Sequence, residues 1–446
     1  MDNRYITEAL KLATDTRAFE LGEGVLGRVP ALFREHFPDR NAVVIADRNT
    51  WKAAGEEVYA HMRDGGIPCG RFLIEEDEFH ADWPYVEMID AALGRTGAVA
   101  IAVGAGTIND LCKLASFDHD QSYMCVATAA SVDGYSSSGA VVTRDGAKIN
   151  IETKAPAVIV ADTGVLAAAP KEMTAAGYAD LAAKIPAGAE WMIADLFGTE
   201  PIIPAAWHVL QDVLGELIAD PAGVASGKPQ AIASLFAGLT LSGIAMQAAR
   251  SSRPASCTEH LFSHYLDMTH HRYRGEFQSH GFQVGIGTLT MCAFFDEFLK
   301  MDLSRLDVDA CVAAWPTLEQ EQRRALGLFR DFPVPQLGYD EITKKYDEAA
   351  TVRTQLSRLR DDWPEFRAKL RRQCYTFEKM RALFADAGAP TDPEEIGISR
   401  EKLRRMVDFT QLMRWRINLL DLAKRAGIYD ELVSRVFGRG GAWEIS

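Results

Sequence analysis

Over the first part of the chain the apolar residues come in short unbroken runs. Asn41–Thr50 (NAVVIADRNT), Gly97–Ser116 (GAVAIAVGAGTINDLCKLAS), Ser122–Ser131 (SYMCVATAAS) and Lys154–Pro170 (KAPAVIVADTGVLAAAP) each carry one, and each run ends in acidic, glycine or hydroxyl residues. Such runs, separated by helix-like segments, predict a parallel sheet covered on both faces. Ligands of such sheets sit at the carboxyl ends of the strands. After about Pro170 the runs give way to helical periodicity in Ala, Leu and charged residues. The pattern therefore predicts an α/β domain over residues 1–168 and an all-helical domain over 169–446. The boundary falls within 165–172 without a flexible linker, so two domains packed around a shared cleft are expected. From about Tyr339 the helices are charged and amphipathic, and the segment after about 330 has no assigned role. Ala231–Ala249 carries no charge, but its Gly, Ala and Ser content predicts a helix buried in a bundle and not a membrane span.

A length of 446 residues is too great for one simple core and agrees with two domains. The hydrophobic fraction of 48% and charged fraction of 25% are those of a globular protein. A net charge of −14 argues against nucleic acid as a partner and against docking to an anionic membrane. Seven cysteines at wide spacings, with no CxxC, indicate reduced thiols and a cytoplasmic setting. The start, MDNRYITEALKLATDTRAF, lacks the long apolar run of a signal peptide.

Candidate chemistry lies at the strand ends and in three later segments. Gly104, Ala105, Gly106, Thr107 and Ile108 follow a strand and open a helix, the setting in which backbone N–H groups cradle a pyrophosphate. The GxGxxG fingerprint is incomplete, since Asn109 stands at the third glycine, so a simple tight turn fits equally. Thr128, Ser131, Ser136 and Ser137 place hydroxyls beside Asp133 in TAASVDGYSSSG, a loop able to bond a cofactor amide or polyol, or merely a turn. Asp47, ending AVVIAD, suits a ribose hydroxyl or a helix cap. His260 and His264, four apart, share one helix face. Their HLFSH segment lacks the glutamate of HExxH, which argues against a metalloprotease. His280 precedes an apolar helix and points into a cleft or caps. Asp180 follows Gly177 and opens a helix, as a metal ligand or as an acid favoured by the helix dipole. His270 and His271 are expected in solvent.

Taken in order, GAGTINDLCK, TAASVDGYSSSG, GYADLAAK, SSRPASCTEHLFSHYLDM and HGFQVGIGTL, with DRNTWKAAG upstream, resemble the sn-glycerol-1-phosphate dehydrogenase family. That family is a branch of the iron-containing alcohol dehydrogenase, glycerol dehydrogenase and dehydroquinate synthase superfamily. The resemblance implies a dehydroquinate synthase-like fold, a nucleotide-binding α/β domain followed by an all-helical domain, with the site between them. It implies that Asp180, His260 and His280 bind one divalent metal, zinc or nickel, or iron(II) as in more distant branches. His264, Asp133 and Asp180 would meet substrate. Gly104–Ile108 would hold the pyrophosphate of NAD(H) or NADP(H), and Thr128, Ser131 and Ser137 would touch the cofactor. Asp47 favours NAD, whereas the neighbouring Arg48 would accommodate a 2′-phosphate. The implied activity interconverts sn-glycerol 1-phosphate, a small phosphorylated polyol, and dihydroxyacetone phosphate, within phospholipid metabolism. The metal acts as a Lewis acid on the C2 oxygen, and His264 relays a proton or orients substrate. A homo-oligomer, first of all a dimer, is the expected assembly.

Two departures stand out. Cys257 occupies a position where the family often has glycine, and is expected to be an inert packing residue. The chain also continues well past the last motif, and its segment after about residue 330 has no counterpart in the resemblance. No basic residue is assigned to the substrate phosphate, though Arg253, Arg272 and Arg274 lie near the motifs. The alternatives are a polyol or glycerol dehydrogenase of the same superfamily, a dehydroquinate synthase-like lyase, and a non-catalytic ligand-binding relative. Aspartate at position 180, where the lyase branch typically has glutamate, favours the dehydrogenases.

Overall fold

The structure, a computed structural model, describes residues 4–76, 79–144 and 147–445; Met1–Asn3 of the leading stretch lie outside it. It contains a six-stranded parallel sheet in the order β1-β8-β5-β4-β2-β3. The strands are β1 (Ala18–Gly22), β2 (Ala42–Asp47), β3 (Cys69–Ile74), β4 (Val99–Gly104), β5 (Met124–Ala127) and β8 (Val158–Asp162). The four apolar runs are β2, β4, β5 and β8, and every residue in them is buried. That complete burial is why they carry no alternation.

The two edge strands escape that pattern. β1 is half-buried throughout, and β3 mixes exposed Gly70 and Arg71 with a buried Ile74. A strand with one neighbour and one wet edge needs no continuous apolar run. An antiparallel pair, β6 (Gly139–Arg144) with β7 (Ala147–Glu152), stands apart from the main sheet and was not anticipated.

β2 hydrogen-bonds β3 on one side and β4 on the other. The chain thus runs outward from β2 to β3 and then returns to β4, and the strand order reverses between β2 and β4. Open α/β sheets bind ligands at such a reversal, beyond the carboxyl ends. Asp47 ends β2 and Gly104 ends β4.

By compactness the chain forms two units. The first comprises Met1–Leu181, Pro204–Ser252 and Asp386–Gly388; the second comprises Ala182–Ile203, Arg253–Ala385 and Ala389–Ser446. The sheet belongs to the first, with Val44, Ile101, Val103, Val126 and Val160 packed in one cluster with Val29, Phe33, Val58 and Met62. The uncharged helix Pro229–Ala249 belongs there too. Among the described residues it alone is long and apolar enough to cross a membrane, and most of its apolar window is buried within the protein.

Among its described residues the second unit is helical apart from a two-stranded ribbon, β9 (Arg272–Tyr273) with β10 (Glu276–Phe277). Here the segment after residue 330 supplies core. Helix Ala349–Gln373 packs on helix Lys184–Phe197, where Gln355 Nε2 donates to the Phe197 carbonyl (3.4 Å) and Gln373 Nε2 to that of Ile185 (3.1 Å). Trp363 is buried edge-on against Phe298, with centroids 5.2 Å apart.

Candidate active site

The glycine loop is held by sterics and by a buried polar network. A Cβ on Gly104 would lie 2.5 Å from Ile108 Cβ, so the turn from β4 into helix Gly106–Asp118 has no room for a side chain there. Asn109, at the missing third glycine, is buried. It accepts from the Tyr123 hydroxyl (2.8 Å) and donates to the Gly134 carbonyl (3.4 Å). Lys113, fully buried one turn later, donates to the carbonyls of Gly134 (2.9 Å) and Gly139 (2.8 Å) and pairs with Asp110 at 3.3 Å. Burial raises the Asp110 carboxyl above its ordinary range, against the pull of Lys113. This helix therefore anchors the neighbouring loop as well as opening the glycine turn. Lys113→Met should take the Lys113 donor from the Gly139 carbonyl and the cation from Asp110 and lower stability by about 2–4 kcal/mol, read as a fall in melting temperature. An unchanged melting temperature would count against the anchoring role.

The neighbouring loop, Thr128–Ser137, follows β5. The Thr128 N–H donates to the Gly104 carbonyl at 3.1 Å, which ties the two strand ends together. Tyr135 donates to the Ala129 carbonyl (2.8 Å), and Ser137 Oγ to that of Gly134 (3.2 Å). Ser131 is half-buried. The polar residues of helix Pro229–Ala249 bear on this loop. Ser242 Oγ donates to Asp133 Oδ2 at 2.9 Å, Gln247 Nε2 donates to the Ser136 carbonyl at 2.6 Å, and Ser136 Oγ donates to the Thr240 carbonyl at 2.7 Å. A Cβ on Gly243 would lie 2.1 Å from Ser136 Oγ, so the helix touches the loop directly. Asp47 caps its helix: Oδ1 accepts from the N–H groups of Asn49 (2.7 Å) and Thr50 (3.1 Å), and Oδ2 from Thr50 Oγ1 (2.8 Å).

Asp180 does not open a helix, contrary to the expectation from Gly177. It lies two residues from the C-terminal end of helix Lys171–Ala182 and is fully buried. The dipole reading fails with it, because a helix C-terminus disfavours a carboxylate. Gly177 is a contact and not a start signal: a Cβ there would lie 1.9 Å from the Ala130 carbonyl oxygen. Asp180 Oδ2 accepts the Asp133 N–H at 2.9 Å.

His260 and His264 sit on helix Thr258–Met268, and His280 is the first residue of helix His280–Phe298. A Cβ on Gly287 would lie 2.3 Å from the Glu259 carbonyl oxygen, so these two helices also meet backbone to side. The rings of His260 and His280 are 5.4 Å apart, centroid to centroid. One ligand atom each from Asp180, His260 and His280 lies within 4.8 Å of the others. Two imidazoles and one carboxylate at that spacing fit a single divalent cation and leave coordination positions open. A fully buried carboxylate also suits a positive partner. His264, half-buried one turn beyond His260, is not in that trio.

The other nearby residues have structural partners. His270 is exposed, but His271 is half-buried: its Nε2 is 2.8 Å from the Ile396 carbonyl, and Lys402 Nζ is 2.9 Å from its Nδ1. That corrects the expectation that both histidines lie in solvent. Arg253 is buried and donates to the carbonyls of Glu190 (2.7 Å) and Ile417 (3.0 Å). Arg272 and Arg274 lie over Phe277 and Tyr273. Cys257 stands at the N-cap position of helix Thr258–Met268 without a side-chain capping bond, and its Sγ accepts from Arg253 at 2.9 Å. Burial drives its thiol well above the ordinary range although Arg253 opposes this, which leaves a protonated packing thiol. Asn109, Lys113, Ser242 and Gln247 were not singled out for function in the sequence. The available signal was a few polar residues inside otherwise apolar helices.

The model of the iron-containing alcohol dehydrogenases matches residues 20–170. The chain is 33% identical over 279 residues to a glycerol-1-phosphate dehydrogenase [NAD(P)+] of Halalkalibacterium halodurans, covering 62% of this chain and 70% of that one. It is 30% identical over 334 residues to the protein of that name from Bacillus subtilis, covering 72% and 85%. A third, from Geobacillus stearothermophilus, is 29% identical over 401 residues, 89% of each chain, a span that necessarily enters the segment after residue 330. Among solved structures, glycerol dehydrogenase from Schizosaccharomyces pombe superposes with a TM-score of 0.60 at 16% identity, over 95% of this chain and 90% of that one. At that identity the likeness speaks to fold alone.

Proposed function

This chain belongs to the glycerol-1-phosphate dehydrogenase family, and from that premise we propose that it interconverts sn-glycerol 1-phosphate and dihydroxyacetone phosphate with NAD(H) or NADP(H). The observation that carries the reading is the convergence of Asp180, His260 and His280 in a chain whose sheet ends in a glycine turn at the strand reversal. The donor set suits zinc, nickel or iron(II). A divalent ion bound there supplies Lewis-acid polarisation of the C2 oxygen.

The chain's own residues do the rest. Gly104–Ile108 bind the pyrophosphate at the N-terminus of helix Gly106–Asp118. Thr128, Ser131 and Ser137 contact the cofactor, and Asp47 takes the adenosine ribose. Asp133, held through Oδ2 by Ser242, orients the substrate hydroxyls. A nicotinamide bound there would supply the hydride chemistry at C2, and His264 would give a proton to the C2 oxygen in reduction and take it back in oxidation. Seven free thiols suit a reducing, cytoplasmic compartment, and a homodimer is the assembly that goes with this reading.

The test is a substrate panel followed by NADH absorbance with metal supplied. Dihydroxyacetone phosphate should be reduced with a kcat/KM at least about a hundredfold above that for dihydroxyacetone, as expected where a site is built around a polar group. Comparable rates on both would assign a polyol dehydrogenase. Phosphate release without net NADH consumption would assign a lyase.

A further inference from the structure

The two histidines are backed by different partners, and the chemistry of those partners assigns the hydrogen-bond directions. Glu259 is fully buried, and its Oε1 accepts the Cys257 N–H at 2.7 Å. The same oxygen lies 2.8 Å from His260 Nδ1. A carboxylate oxygen only accepts, so Nδ1 carries the proton and Nε2 the lone pair.

For His280 the argument runs through three residues. Gln283 is buried, and its Nε2 donates to the Gln278 carbonyl at 3.2 Å, which turns Oε1 the other way. Ser263 Oγ is 2.7 Å from that Oε1 and 3.0 Å from His280 Nδ1. The single hydroxyl proton goes to Oε1, which can only accept. Toward His280 the Ser263 oxygen is therefore an acceptor, and Nδ1 is again the protonated nitrogen. The close approach at Gly287 sets the spacing of the two helices that carry both networks.

We propose that Glu259, Ser263 and Gln283 are positioning residues that lock His260 and His280 in the Nδ1–H tautomer, so that both present Nε2 as a ligand atom. The asymmetry follows from the acceptors. His260 leans on a carboxylate and is the stronger donor to a cation; His280 leans on a neutral hydroxyl relay and is the weaker. The partners named for both networks lie on or beside the two helices that carry the histidines, so the expected effect is on the cation.

This inference rests on His260 and His280 being metal ligands, and the experiment separates the two. Apo forms of the wild type, Glu259→Gln, Ser263→Ala and Ser263→Thr would be titrated with Zn²⁺ against a chromophoric chelator. Their apo melting temperatures and the absorption of their Co²⁺-loaded forms would be recorded alongside. Glu259→Gln should weaken Zn²⁺ binding by about 10- to 100-fold and alter the Co²⁺ spectrum. Ser263→Ala should weaken it by about tenfold, and Ser263→Thr, which keeps the hydroxyl, should restore it. Apo melting temperatures should stay close to wild type. Wild-type protein that binds no Zn²⁺ would overturn the ligand assignment itself. Tight wild-type binding with Glu259→Gln and Ser263→Ala equally tight would overturn only the positioning role. Affinity losses that merely track a loss of apo stability would overturn it too.

Discussion

His260→Ala should lower turnover by at least about a thousandfold while NADH still binds. Losing Lewis-acid polarisation costs several kcal/mol of transition-state stabilisation, and each 1.4 kcal/mol is about tenfold in rate. The substitution would remove one imidazole from the proposed donor set of Asp180, His260 and His280. Metal content by elemental analysis should fall well below stoichiometric. The glycine turn at the end of β4 is built from Ile108 and the Gly106–Asp118 helix and does not depend on His260, so NADH fluorescence should still report binding. His264→Ala is the companion: it should keep its metal and lose kcat, because His264 stands outside the trio. A metal-free His260→Ala enzyme with full activity would sink the mechanism.

Gly177→Ala should be the most damaging one-carbon change outside the proposed ligands. The new Cβ would lie 1.9 Å from the Ala130 carbonyl oxygen and 3.1 Å from Ser131 Cα. Both are backbone atoms, so no side chain can swing away, and helix Lys171–Ala182 must retreat from the loop. Overpacking of this kind costs about 2–4 kcal/mol. The retreat would also carry Asp180 away from the Asp133 N–H it now accepts at 2.9 Å. Melting temperature and turnover should therefore fall together. Gly327→Ala provides the contrast: Gly327 lies inside helix Leu318–Phe329 with nothing within 4 Å of its added Cβ. There alanine should raise stability by about 0.5–1 kcal/mol through helix propensity. If Gly177→Ala behaves like Gly327→Ala, the close approach is not what fixes Asp180.

The contrast between these glycines shows where sequence reading stops. The central strands were legible because burial on both faces demands uninterrupted apolar residues, as in AVVIAD and VAIAVG. The edges β1 and β3 were not, since each answers to one neighbour only. Gly177 was read as punctuation at a helix start, whereas it lies inside a helix and is required by an approaching carbonyl. Nothing local to GYADLAAK distinguishes those two uses. The spacing of His260 and His264 gave one helix face, but the approach of the His260 and His280 rings to 5.4 Å is a property of the chain fold and not of spacing. Glu259, directly before His260, looked like any charged neighbour. Its connection to the imidazole depends on rotamers and burial, which one sequence does not encode locally.

The pairing of β1 with β8 sets a timetable for synthesis. Ala18 lies opposite Val158 and Gly22 opposite Asp162, so the first strand has no partner until the last strand of the sheet has left the ribosome. At typical elongation rates that interval is on the order of ten seconds. Throughout it, Ala18–Gly22 waits as an unpaired segment while β2 to β5 can already assemble. Closure of the sheet is then a late, long-range event, and the edge that β1 will cover stays open until it happens.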